Sequence, residues 1–203
     1  MAFEPMTGVG RKELAVERFA IKDLIAWKNS PRRRPLLVQG ARQVGKTWLI
    51  REFGQTHFAA VAYVNFLEDE AMARQFEGEL APARLLDAVT LYTGVNAKDP
   101  NTLVVFDEIQ ECPRALTSLK SFAERSPETA LVAAGSLLGV ALHRGVSFPV
   151  GKVDHLLIFP LSFDEFLLAT GNNLMLDTLR RGDLALADSL SERYIEQLRN
   201  YYF

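Results

Sequence analysis

The stretch Pro35–Ile50, PLLVQGARQVGKTWLI, decides the fold. Leu36–Gly40 is a short apolar run that closes on glycine. Gly40–Thr47 then reads Gly-x-x-x-x-Gly-Lys-Thr, and an apolar pattern at helical spacing predicts a helix from about Gly45 to Gln55. A strand, a glycine-bracketed turn and a helix, in that order, form a cradle for phosphate. The glycines permit torsions that a side chain forbids, so the loop can wrap with its N–H groups inward. The helix N-terminus behind it adds favourable potential for an anion. In such a cradle Lys46 reaches the β- and γ-phosphates, and the Thr47 hydroxyl ligates Mg²⁺. Gly40, Ala41, Arg42, Gln43, Val44, Gly45, Lys46, Thr47 and Trp48 are therefore the candidate nucleotide-binding residues.

A carboxylate partner for that metal is expected further along. Thr102–Glu108, TLVVFDE, predicts a strand that is apolar on both faces until it ends in acid. Asp107 suits a Mg²⁺ holder. Glu108 beside it can orient and deprotonate a water. A kinase would exclude that water and seat a substrate hydroxyl there, so Asp-Glu points to hydrolysis; the competing reading is an ordinary acidic pair at a strand end. Ala130–Ser136, ALVAAGS, predicts a further strand whose terminal Ser136 either touches the γ-phosphate or the attacking water, or caps the next helix.

The rest of the chain alternates in the same way. VAYVNF (Val61–Phe66) and HLLIFP (His155–Pro160) read as strands. Helices are expected over Lys12–Lys28, near Asp69–Phe76, over Pro82–Tyr92 and Pro113–Arg125, near Leu174–Arg180, and over Asp183–Tyr202. Ser162 and Glu165 have capping-box spacing at the start of another. Strands that are continuous apolar runs, alternating with helices, mean a mostly parallel sheet covered on both faces, with ligands at the carboxyl ends of its strands. The phosphate loop, Asp107-Glu108 and Ser136 all fall at such ends.

Composition limits the alternatives. The 203 residues are 48% hydrophobic and 24% charged, with a net charge of −2, which gives no overall polyanion-binding character. Cys112 is the lone cysteine, so no internal disulfide forms, in keeping with a reducing cytoplasm. No membrane span or signal peptide is read, and residues 1–11 read as a loose tail. Arg32, Arg33 and Arg34 form a local basic run that is either solvated, a nucleic-acid contact, or a lining of the adenine side. Arg144 or Lys152 could bring positive charge to a γ-phosphate, or could be solvated loop residues. His57 and His143 lack metal-ligand spacing with Cys112.

RPLLVQGARQVGKTWLIREFG, VVFDEIQECPRALTSLKSF, AAGSLLGVALHRGVSFPVGKVD and FPLSFDEFL together resemble a large prokaryotic family of uncharacterised AAA-type P-loop ATPases, from about Lys12 to Phe203. The Gly-Ser-Leu-Leu-Gly and Pro-Leu-Ser-Phe-x-Glu-Phe blocks carry the specificity. The resemblance implies an α/β three-layer P-loop NTPase sandwich with strand order 5-1-4-3-2, and ATP with Mg²⁺. It implies Lys46 and Thr47 on phosphate and metal, Asp107 on metal, Glu108 on water and Ser136 as sensor. Relatives carry Gly-Arg where this chain has Gly151-Lys152, a change that keeps the charge but loses the planar fork. It further implies an ATPase domain over residues 12–170, and a helical extension over 171–203 leading to a C-terminal domain missing from this chain. The function expected is an ATPase module that switches or drives an attached protein effector. The alternatives are a non-hydrolysing ATP switch or a DNA-associated ATPase.

Overall fold

The computed structural model describes residues 18–136 and 151–202. The chain divides into two compact units; the larger spans Phe19–Pro160. Its elements are α1 (Ala20–Lys28), β1 (Leu36–Gln39), α2 (Lys46–His57), β2 (Ala60–Asn65), α3 (Glu70–Arg74), α4 (Pro82–Thr93), β3 (Thr102–Asp107), a 3-10 turn (Ile109–Glu111), α5 (Pro113–Arg125), β4 (Ala130–Gly135) and β5 (Asp154–Leu157). The strands form one sheet in the order β2-β3-β4-β1-β5, every neighbouring pair parallel. This is the order that the resemblance implies, read from the other edge.

Two hydrophobic clusters account for the layering. Successive side chains of a strand point to opposite faces. Val104 and Phe106 of β3 join Leu131 and Ala133 of β4 in a cluster with Leu85 and Val89 of α4 and Leu116, Leu119 and Phe122 of α5. Leu103 and Val105 join Val132 and Ala134 in a second cluster with Trp27 of α1 and Leu49, Ile50 and Phe53 of α2. The central strands β3 and β4 are buried at every position and β1 at its first three, whereas the edge strand β2 is buried only at Ala62 and Val64 and the edge strand β5 at no position. Continuous burial on both faces therefore holds for the central strands only.

The parity of β3 fixes the chemistry beyond it. Phe106 is fully buried and packs edge-on against Phe76 at 5.5 Å and Phe66 at 5.6 Å. Each such aromatic pair adds about 0.5–1.5 kcal/mol beyond burial. With Phe106 held among α4 and α5, Asp107 must face the opposite layer, the side of α2.

Several boundaries differ from expectation. α1 begins at Ala20, with Arg18 and Phe19 outside it; the rest of the helix expected from Lys12 lies outside the described residues, as do the tail over 1–11, His143 and Arg144. β3 stops at Asp107, because Glu108 takes a left-handed conformation.

The second unit contains Arg18 with Leu161–Tyr202. Its helices are α6 (Phe163–Ala169), α7 (Asn173–Arg180), α8 (Leu184–Ser189) and α9 (Ser191–Tyr202). Ser162 Oγ accepts from the Glu165 N–H, and the Glu165 carboxylate accepts from the Ser162 N–H, so the capping box forms as its spacing predicts. Glu165 also pairs with buried Arg18 at 3.2 Å. The single helix expected over Asp183–Tyr202 is two, broken at Leu190. Tyr201 packs edge-on to Phe163 at 5.7 Å and donates to Leu161 O. Among the described residues, no helix is long and apolar enough to cross a membrane.

Candidate functional site

The carboxyl ends of β1, β3 and β4 meet at one cavity of about 470 Å³. The loop from β1 to α2 forms one wall. Gly45 ends it at φ 87°, left-handed, as glycine allows. Gln43 is also left-handed, at φ 64°, a strain that the glycine spacing does not announce. Gly40 answers to a different demand. A Cβ there would lie 2.3 Å from the carbonyl oxygen of Ile158, just past β5, so the loop can leave the sheet only without a side chain. Val44 turns its side chain into the core on the α2 side.

Lys46 is buried to 7% exposure, and its ammonium donates to the carbonyls of Gly40 at 3.0 Å and Ala41 at 2.7 Å. Burial pulls its pKa below the ordinary lysine range, against the upward pull of Glu108 and Asp107. Arg42, Gln43, Gly45, Lys46, Thr47 and Trp48 all line the cavity. Glu108, Gln110, Glu111 and Ser136 line it as well, with exposed Leu67.

Asp107 ties the loop between β1 and α2 to the end of β3. Its Oδ2 accepts from Thr47 Oγ1 at 2.8 Å and from Tyr63 Oη at 2.5 Å, while Oδ1 accepts from the Glu108 N–H at 2.9 Å. Burial first, and the Asp107 carboxylate second, push the Tyr63 phenol well above its usual range, so it remains a donor at any physiological pH. Arg51, one helical turn beyond Thr47, covers the Tyr63 ring at 4.3 Å.

Tyr63, Arg51 and Gln110 were not among the candidates read from the sequence. Tyr63 had a signal: Tyr63 and Asn65 share a face of β2, and Asn65 pairs in register with Asp107. That register is invisible until the neighbouring strand is known.

Some candidates are not brought to the cavity. β1 and β5 are parallel with Leu36 opposite Asp154, so Lys152 lies at the amino edge of the sheet, across from the phosphate loop. There it pairs with Glu124 at 3.0 Å, near the end of α5. Arg32, Arg33 and Arg34 precede β1 and lie at that same edge, which removes them from any adenine lining at this cavity. Arg33 donates to the carbonyls of Lys28 and Glu128, acting as a strut. The helix that Ser136 would cap lies outside the described residues.

The set is chemically suited to a phosphorylated ligand with a hard divalent cation. The buried Lys46 ammonium and left-handed loop suit phosphate, and the paired oxygens of Thr47 and Asp107 suit Mg²⁺. Among the described residues, Ser136 Oγ and Gln110 Oε1 are buried without a partner, so two residues that line the cavity carry polar atoms that a ligand group would satisfy.

Residues 32–167 match the family model described as AAA domain. No curated protein matches the chain. Among solved structures it is similar to the Walker-type ATPase PABY2304 of Pyrococcus abyssi, with a TM-score of 0.51 and 18% sequence identity, covering 97% of this chain and 79% of that one. It is also similar to PCH-2 of C. elegans, with a TM-score of 0.40 and 14% identity, covering 80% of this chain and 48% of that one. At 18% identity the likeness to the first concerns the fold alone.

Proposed function

Because this chain belongs to the AAA domain family of P-loop ATPases, we propose that it binds ATP with Mg²⁺, hydrolyses it, and uses the cycle to switch or drive an attached effector. One observation carries the reading: the 2.8 Å bond from Thr47 Oγ1 to Asp107 Oδ2, which ties the phosphate loop to the acidic end of β3. Lys46 and the loop N–H groups bind the phosphates, and Trp48 borders them. Thr47 and Asp107 would hold Mg²⁺, which supplies charge neutralisation on the phosphate oxygens when bound. Glu108 takes a proton from water, and Ser136 contacts the γ-phosphate or that water.

Phosphate release and Mg²⁺–ATP binding, measured on wild type and Lys46→Ala, test this reading. Loss of charged hydrogen bonds to phosphate should weaken binding by roughly 10–100-fold in the variant, with turnover lost alongside. Absence of Mg²⁺–ATP binding by the wild type would overturn it.

Tyr63 gives a narrower expectation. Tyr63→Phe removes one donor from Asp107 and leaves the phosphate loop intact. The Mg²⁺ concentration needed for half-maximal ATP binding should rise about tenfold, the scale of outer partners of metal ligands. ATP binding without Mg²⁺ should not change. An unaltered Mg²⁺ requirement would show that Tyr63 only packs.

A second reading, ATP as a regulatory ligand without turnover, draws on Lys152, whose pairing with Glu124 at the far edge removes one candidate for charge on the γ-phosphate. Tight Mg²⁺–ATP binding with no phosphate release would favour it. A DNA-associated role loses support from Arg33, which is tied to carbonyls.

A further inference from the structure

Ile109 is fully buried and anchors the 3-10 turn in the core, while Glu108 and Gln110, its neighbours on either side, both line the cavity. Glu108 enters the turn at φ 50° and ψ 43°, a conformation that costs a non-glycine residue about 1–3 kcal/mol and is sustained at functional sites. The orientation of the Gln110 amide follows from its neighbours. Nε2 donates to Glu108 Oε2 at 2.5 Å and faces Glu111 Oε1 at 3.5 Å. Turned over, the amide oxygen would meet both carboxylates, so Nε2 belongs on that side and Oε1 on the other. Oε1 is then a buried oxygen without a partner among the described residues. An amide oxygen only accepts. A phosphate oxygen, itself an acceptor, cannot satisfy it; a water can, by donating.

We propose that Gln110 holds the hydrolytic water together with Glu108, an inference that rests on the ATPase reading above. Gln110 Nε2 fixes Glu108 Oε2 and leaves Glu108 Oε1 to take one proton of the water. Gln110 Oε1 accepts a hydrogen bond from the other. As the water oxygen bonds to the γ-phosphorus, the bond from that phosphorus to the bridging oxygen breaks. Its electron pair leaves with ADP, and the proton on Glu108 passes to solvent. Ser136 Oγ, which can donate as well as accept, is the complementary atom in the lining of the same cavity.

Gln110→Met keeps the bulk and removes both polar atoms. The full chain carrying it is compared with wild type in steady-state phosphate release, and in affinity for Mg²⁺–ADP with and without aluminium fluoride, which mimics the phosphoryl group under attack by water. The expected result is a fall in kcat of at least about tenfold, with KM for ATP and affinity for Mg²⁺–ADP held within about threefold. Affinity for the aluminium fluoride complex should fall by about the same factor as kcat, a readout that remains even where turnover is slow. The double variant Glu108→Gln, Gln110→Met should be no slower than Glu108→Gln alone, because the two side chains act on one water. A rise in kcat in Gln110→Met would mean that the bond to Glu108 is a latch, and would overturn the proposal. So would multiplicative losses in the double variant, or unchanged affinity for the fluoride complex. Failure of the wild type to bind Mg²⁺–ATP would instead remove the ATPase reading itself, and this inference with it.

Discussion

Glu108→Gln is expected to lower phosphate release by about 10²–10⁴-fold, the usual contribution of a general base, while Mg²⁺–ATP still binds. The substitution keeps the length and shape of the side chain. It leaves the loop bonds of Lys46 and the Thr47–Asp107 bond untouched, since neither involves Glu108. A glutamine at position 108 cannot take up a proton at neutral pH, so its effect falls on the chemical step and not on affinity. Single-turnover phosphate release and equilibrium ATP binding on the same samples separate the two. Equal turnover in variant and wild type would remove Glu108 from the chemistry. Equal loss of binding and turnover would make it a structural residue of the turn.

Gly40→Ala should be strongly disruptive for a single added methyl. The new Cβ would meet Ile158 O at 2.3 Å and Val44 Cγ2 at 3.2 Å. The first neighbour is backbone, paired into the sheet through the bond from the Ile158 N–H to Gln39 O, so it cannot turn aside as a flexible side chain would. Overpacking of this kind costs about 1–3 kcal/mol. In a chain of this size that lowers Tm by about 2–12 °C. The strain enters at the first residue of the phosphate loop, so nucleotide affinity should fall with stability. Thermal unfolding with and without Mg²⁺–ATP checks both. A variant with wild-type Tm and an undiminished ATP-induced shift would show that the close approach of β5 is relaxed at no cost.

The phosphate loop and the layered sheet were legible because their signals are contiguous. A strand, a spaced pair of glycines and a helix occupy one short stretch, and the apolar runs of β3 and β4 state their burial outright. The capping box of Ser162 and Glu165 was legible for the same reason. Tyr63 was not, because its importance comes from the register between β2 and β3. Gln110 was not, because its place depends on the turn that Ile109 anchors. Lys152 looked available by charge and loop position, yet the parallel pairing of β5 with β1 sends it to the far edge of the sheet. The break at Leu190 has no glycine or proline to announce it, and the apolar spacing runs on through it.

The alternation along β3 has a consequence for how such a protein can change over time. Val104 and Phe106 serve one layer, and Leu103 and Val105 the other, with Asp107 next in the sequence of turns. Any of those apolar residues can be exchanged for another of similar volume at modest cost. Losing or gaining one residue between Leu103 and Phe106 is a different event. It would swing Asp107 away from Thr47 and present it to the phenylalanine cluster, exchanging a carboxylate held by Thr47 and Tyr63 for a buried unpaired acid. The strand is thus a ruler as well as a wall, and its composition can drift while its length is held.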